Sequence, residues 1–318
     1  MLVYSLKRIL WLIPIIICLS FIIFALMELA PGNIVDGMIT ENMTQEDIAA
    51  LRAQFDLDRP MLYRFGKYML GLFQGDLGRS QITNLPVWYE FMSRFPKTLQ
   101  LALAALVIGV SLSVPLGIFA AKRAGTIWDN ATTVFSIVAL SMPGFWLGLL
   151  IMYWLAYHVK IFPAGYDGSV RSFVLPAVTT AFVMIGTVTR QTRSSMLEVM
   201  RQDYLRTARA KGASERQVTT QHALRNAWIP IVTTIGTILG HTLAGSVVVE
   251  AVYSWPGVGR LTVDAVSRRD VPMITGCVIL TSIIYVVVLL LVDIVYALID
   301  PRIKAQFLSH KRKRRRVA

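Results

Sequence analysis

Charge is what this chain has least of: 16% of its 318 residues are Asp, Glu, Lys or Arg, against 55% hydrophobic residues and a mean hydropathy of +0.56. A soluble domain of this length could not hide that imbalance in one core, which makes a bilayer the natural solvent. Cysteine is nearly absent. Cys18 and Cys277 both fall in apolar stretches and form no CxxC, which excludes a disulfide framework and a dithiol redox centre. Catalytic motifs are missing as well. The four histidines are far apart, there is no HExxH or GxSxG, and the only Gly-Lys pair, Gly66-Lys67, is followed by Tyr68 and lacks the upstream glycine of a phosphate loop. The residues thus offer no catalytic set, no metal site and no nucleotide site. Repeats at the period of a solenoid are lacking too.

What is present is a set of long apolar runs. The charges lie in blocks and leave charge-free windows at 9–27, 98–121, 130–159, 172–189, 226–249 and 271–292. A hydrocarbon core needs about 20 residues of helix, so every window is long enough to span. The 130–159 window holds one span plus an interfacial end, to which Trp154, Tyr157 and His158 are suited. The first window exceeds the apolar stretch of a secretory signal, and Glu28-Leu29-Ala30-Pro31 is a poor cleavage site; it is read as a retained helix. The expectation is an all-α, polytopic membrane protein with six transmembrane helices.

Lys and Arg set the orientation, because basic loops stay on the cytoplasmic side during insertion. With the N-terminus inside, the inner loops carry Lys122 and Arg123, then Arg190, Arg193, Arg201, Arg206, Arg209, Lys211, Arg216 and Arg225. The tail adds Arg302, Lys304 and Lys311 through Arg316, while the long outer segment balances its bases with acids. Both termini are therefore expected in the cytoplasm. Residues 1–30 form the N-terminus and first helix, 31–97 an external cap, 98–300 a transmembrane core with a cytoplasmic loop at 190–229, and 301–318 a basic tail. The net charge of +13 needs no nucleic-acid partner, since the terminal basic run follows a spanning helix and meets anionic membrane lipid first.

Within the cap, Thr44 with Asp47 three residues on predicts a capped surface helix through Ile48, Leu51 and Phe55. Leu62, Phe65, Met69, Leu72 and Phe73 then predict an amphipathic helix along the external interface, broken at Gly75-Asp76-Leu77-Gly78. Farther on, Trp255, Pro256 and Gly257 begin a compact outer loop. It is either a tightly folded or re-entrant turn at a cavity mouth, or an interfacial Trp anchor on an ordinary turn. In the fifth window Thr233, Thr237, Gly240 and Ala244 form a stripe of small and mildly polar residues, with Gly236 and Gly240 in GxxxG spacing and His241 near mid-span. Such a stripe serves helix packing or a translocation path, and an ionisable group at that depth is either a functional residue or a neutral, hydrogen-bonded histidine.

The cytoplasmic segment 190–229 contains more structure than a tether needs. Asp203-Tyr204-Leu205-Arg206-Thr207-Ala208-Arg209-Ala210-Lys211 predicts a short helix with an acid in its first turn and a base in its last, and Gly212 suits the left-handed position that stops it. A second helix is expected to begin near Ala213-Ser214-Glu215. A helix, a glycine turn and another helix make a rigid knuckle that could transmit force; a plain positive-inside loop is the alternative.

Arg206-Thr-Ala-Arg-Ala-Lys-Gly212, followed by His222-Ala-Leu-Arg-Asn-Ala-Trp-Ile-Pro230, resembles the EAA loop of bacterial ABC importer permeases in its dipeptide and oligopeptide form. Lys7-Arg8 with the run ending Leu29-Ala30-Pro31-Gly32, Gly75-Asp-Leu-Gly-Arg-Ser80, Phe95-Pro-Lys-Thr-Leu99 and Val249-Glu-Ala-Val-Tyr-Ser-Trp-Pro-Gly257 extend the resemblance to nearly the whole chain. Arg206 stands where the general EAA pattern has Glu, which is typical of the peptide group.

This resemblance implies a type I ABC importer permease architecture in a bacterial inner membrane. It further implies a second homologous permease, two separate ATPase subunits that hold ATP and Mg, and an external solute-binding protein. The candidate coupling residues are Asp203, Tyr204, Arg206, Thr207, Ala208, Lys211, Gly212 and Ala213. In them the charges would meet the ATPase, Ala208 would allow close packing and Gly212 would set the turn. Dipeptides or oligopeptides are the expected cargo, with nickel chelates, glutathione or opines as alternatives on the same machinery. A self-sufficient secondary transporter or channel is the rival of a different class.

Overall fold

The computed structural model describes residues 2–39 and 43–299, with side chains described except at 2–7, 9, 244, 245 and 295–299. The basic tail at 301–318 lies outside the described residues. Thirteen α-helices make up the described fold, and apart from one bridge between Arg79 and Pro86 no β-pairing occurs among the described residues.

Each expected window falls in helix. The first, second, fourth and sixth lie in α1 (Leu2–Leu29), α4 (Val87–Lys122), α7 (Arg171–Met200) and α13 (Val271–Ile299), all long and apolar enough to cross a membrane. The third differs from the straight span expected, because α5 (Ile127–Ser141) and α6 (Gly144–Met152, continued by a π-helical turn at Tyr153–His158) meet at a bend of 100°. Pro143 is the physical reason. It has no N–H to give a continuing helix and disfavours helical geometry at the residue before it, so Met142 is extended with φ −75° and ψ 123°. Counting the bent pair as one span gives up to five. The fifth window holds α10 (Leu224–Gly245), which is not among the five found over the described residues.

The opposite ends of α4 mark the two sides of the molecule. Near Lys122, Val114 and Ala121 pack with Met184, Val188 and Met196 of α7 and with Ala223, Ala227 and Ile231 around the start of α10. At the other end, Val87 and Phe91 pack with Met273, Ile274 and Cys277 of α13 and with Val258, Leu261 and Ala265 of α12 (Val258–Ser267). Arg193 of α7 holds Asp129 of α5 with two hydrogen bonds, and Arg8 of α1 pairs with Asp293 of α13.

In the cap, α2 (Gln45–Gln54) begins at Thr44 with both bonds of a capping box to Asp47. The amphipathic stretch becomes α3 (Met61–Phe73), which lies against α1. Phe65 meets Phe21 and Phe24 edge to face at 5.5 and 5.6 Å, and Arg64 pairs with Glu28. Leu62, Leu70 and Phe73 remain exposed, as an interfacial helix requires.

Candidate functional site

The loop between α7 and α10 folds as a knuckle. Helix α8 (Asp203–Ala210) carries Asp203 in its first turn, next to the positive end of the helix dipole. Its C-terminus closes as a Schellman motif: Gly212 N–H donates to Arg209 O at 2.9 Å and Ala213 N–H to Ala208 O at 3.2 Å. This closure needs a left-handed residue, and Gly212 has φ +85°. Ser214 then caps α9 (Glu215–Gln217) in a capping box with Gln217, and a π-helical turn at Val218–Ala223 leads into α10.

One residue fixes the knuckle to the helical core. Leu205, fully buried, belongs to the apolar cluster that also holds Val114, Met184, Met196, Val218 and Ala223, and Ala208 and Ala213 pack against the same cluster. Sequence reasoning did not single out Leu205; its signal was a lone large apolar residue in an otherwise polar and alanine-rich turn. The small side chain at Ala208 therefore serves packing against the chain's own core. Asp203, Arg206, Thr207 and Lys211 are exposed, so the helix presents a polar face away from the core.

Two further contacts stiffen the knuckle. The Tyr204 hydroxyl accepts a hydrogen bond from Asn226 Nδ2 at 2.7 Å, tying α8 to α10. Arg209 holds Glu215 across the turn through Nε at 2.7 Å and Nη2 at 3.3 Å. The hydrogen bond from Arg209 holds the Glu215 carboxyl below its usual range and raises the guanidinium above its own.

On the opposite side, α11 (Val247–Val252) and α12 flank the loop of Trp255, Pro256 and Gly257. Trp255 is buried, which excludes the interfacial-anchor reading and makes the loop a tightly folded turn. Its indole meets Tyr166 edge to face at 5.1 Å and Phe173 at a tilt at 5.4 Å, its Nε1–H donates to Lys97 O at 3.0 Å, and Lys97 Nζ lies 5.7 Å from its ring centre. Glu250, also fully buried, is the hub beneath the turn. Its carboxylate accepts from Thr98 Oγ1 at 2.8 Å, Ser246 Oγ at 2.9 Å, and the N–H groups of Gly259 at 2.7 Å and Arg260 at 3.2 Å at the start of α12. A Cβ at Gly257 would overlap that carboxylate and the Thr98 hydroxyl, so the close approach requires glycine. Glu250 and Thr98 were legible only as a lone acid between a span and an aromatic turn, and a hydroxyl after Pro96-Lys97.

The α10 stripe divides. Gly236 and Gly240 pack against α13 of the same chain: a Cβ at Gly236 would overlap Val292, and one at Gly240 would lie 3.1 Å from Tyr285. Thr233 and Thr237 donate to the carbonyls of Ile229 and Thr233, one turn back. His241 is exposed, with its ring 5.4 Å from that of Tyr285. Ala244 belongs to α10, and its side chain lies outside those described. The coupling, loop and stripe residues thus form three separate places.

Residues 113–305 match the family described as "Binding-protein-dependent transport system inner membrane component", and residues 1–102 match "Binding-prot-dependent transport system membrane comp, N-term". The dipeptide transport system permease protein DppB of Escherichia coli (strain K12) is 36% identical over 96% of this chain and 99% of its own length. The oligopeptide transport system permease protein AppB of Bacillus subtilis (strain 168) is also 36% identical, over 95% of this chain and 99% of its own. Among solved structures, an inward-facing MetNI methionine ABC transporter chain aligns with a TM-score of 0.55 at 16% identity, covering 67% of this chain and 97% of that one. That likeness bears on fold alone.

Proposed function

The chain belongs to the family of binding-protein-dependent transport system inner membrane components, and from that premise we propose that it translocates dipeptides or oligopeptides handed to it by an external solute-binding protein. It is a multi-pass permease subunit of an ABC importer, and ATP is hydrolysed on separate subunits. It pairs with a second, homologous permease and with two ATPases, spans the membrane six times with α10 as the fifth span, and keeps both termini in the cytoplasm. The basic α7–α10 loop supports that orientation.

The observation that carries the reading is the anchored knuckle. Leu205 seats α8 in the apolar cluster it shares with residues of α4, α7 and α10, and α8 packs on the Val218–Ala223 turn, so a push on its exposed face from an ATPase would pass through that turn into the start of α10. Asp203, Tyr204, Arg206, Thr207 and Lys211 meet the ATPase in this account, with Gly212 and Ala213 setting the angle of the face. Trp255, Pro256 and Gly257 form an outer gate held by Glu250, to which the binding protein docks. Thr233 and Thr237 line the path near the α10–α13 seam made by Gly236 and Gly240.

The test replaces Gly212 with Val in the assembled transporter. A β-branched residue at φ +85° is strained by about 1–3 kcal/mol, and the Schellman closure opens. Peptide-stimulated ATPase activity should fall at least tenfold while the chain still inserts and assembles with its second permease. Full stimulation in G212V would overturn the coupling role.

A further inference from the structure

A cavity of about 650 Å³, the size of a small-molecule site, lies between the end of α1, the start of α13, helix α3 and the turn after it. It sits on the side of the molecule away from α8 and apart from the Trp255 loop. One part of its wall is apolar, from Met27 and Leu29 of α1 and Val271 of α13, at the points where two membrane-crossing helices end. The other part is charged, with Arg64, Lys67 and Arg269 facing Glu28, Asp56 and Asp76.

Two donors in that wall lack an acceptor. Arg64 Nε and the Tyr68 hydroxyl are shut off from solvent and hydrogen-bond to nothing among the described residues. They are four residues apart and so share one face of α3. Burial pushes the Tyr68 phenol above its ordinary range, which keeps it a donor. Native folds rarely leave buried donors unpaired, so two on one face call for an acceptor from outside the chain. An acceptor is also available for a donor: Asp76 receives Gly78 N–H on one carboxylate oxygen, at 2.8 Å, and has a second.

We propose that this cavity binds the headgroup of a zwitterionic, amine-bearing phospholipid of the leaflet opposite the α8 knuckle. The phosphate takes the Arg64 Nε and Tyr68 hydroxyl donors, the ammonium takes Asp76, and the acyl chains run along α1 and α13. Three bases facing three acids argue against a net anion, which would meet as much repulsion as attraction. The apolar wall at the ends of two spans argues for an amphiphile over a free solute.

The experiment uses the full assembled transporter, delipidated in mild detergent, and native mass spectrometry with dihexanoyl-phosphatidylethanolamine as probe. Dihexanoyl-phosphatidylglycerol, inorganic phosphate and a dipeptide serve as competitors. The expected result is one ethanolamine lipid per chain, bound at least about fivefold more tightly than the glycerol lipid and displaced by neither phosphate nor dipeptide. Tyr68→Phe, which removes only the stranded hydroxyl, should weaken binding about fivefold. Asp76→Asn keeps the acceptor for Gly78 and should erase the preference for the amine, so the proposal stays testable if either variant folds poorly. No bound lipid, equal binding of the two lipids, displacement by the dipeptide, or unchanged binding in both variants would each overturn the assignment.

Discussion

Glu250 shows how much one side chain can organise. Its carboxylate receives four donors from α4, the start of α11 and the start of α12, all within a dry interior. Replacing it with Ala strands those donors, and leaving a buried donor unpaired costs about 1–3 kcal/mol each. Glu250→Ala should therefore lower the melting temperature of the purified chain markedly, whereas Glu250→Gln, which keeps one acceptor oxygen, should lower it less. Equal losses would mean that volume rather than hydrogen bonding matters here. At Glu215 the expectation concerns pH. Its carboxyl is held below the ordinary range by Arg209, so the stabilisation is present above that range, near about pH 4.3, and is lost as pH falls through the depressed folded value. Both partners are solvent-exposed, which makes the effect small and local. Amide exchange across residues 203–217 should quicken in that acid window, and Glu215→Gln should abolish the step.

At the scale of elements, the seam between α10 and α13 decides how α10 is held. Its glycines let Val292 and Tyr285 of α13 come close. Gly236→Leu should force these helices apart at a cost of about 1–3 kcal/mol. Val292→Ala in the same chain should restore part of that loss, because the two positions touch and their effects are not additive. A thermal-stability cycle on the four proteins measures the coupling, and strict additivity would place the seam elsewhere. The α5–α6 bend is a second decision at this scale. The 130–159 window reads as one span plus an interfacial end; Pro143 disfavours helix at the residue before it, and the 100° bend there depends on what α6 packs against. Tyr253, the residue just after α11, shows that packing, donating to Gly148 O of α6 at 2.9 Å and pairing with Thr179 of α7 at 2.9 Å.

For the whole molecule, the consequence is dependence on partners. Under the proposed coupling role, the exposed face of α8 receives force that is generated on separate ATPase subunits. Purified alone and placed in liposomes, the chain should not move labelled dipeptide, with or without ATP inside. Reconstituted with its second permease, the ATPases and the binding protein, it should do so in step with ATP hydrolysis. Uptake by the isolated chain would favour a self-sufficient transporter instead.

The sequence by itself determined what depends on neighbours along the chain. Scarce charge gathered in blocks marked the apolar helices, Thr44 and Asp47 marked the start of α2, and Gly212 marked the end of α8, because spanning, capping and left-handed turns are set within a few residues. Only the tertiary structure decided which distant groups meet. Leu205 reaches a core built from α4, α7 and α10, Glu250 finds Thr98 from 152 positions away, Gly236 faces Val292, and Arg64 Nε and the Tyr68 hydroxyl lie unpartnered beside a cavity lined in part by the start of α13. Such meetings depend on how whole helices are placed against one another. Local propensity carries no record of that placement.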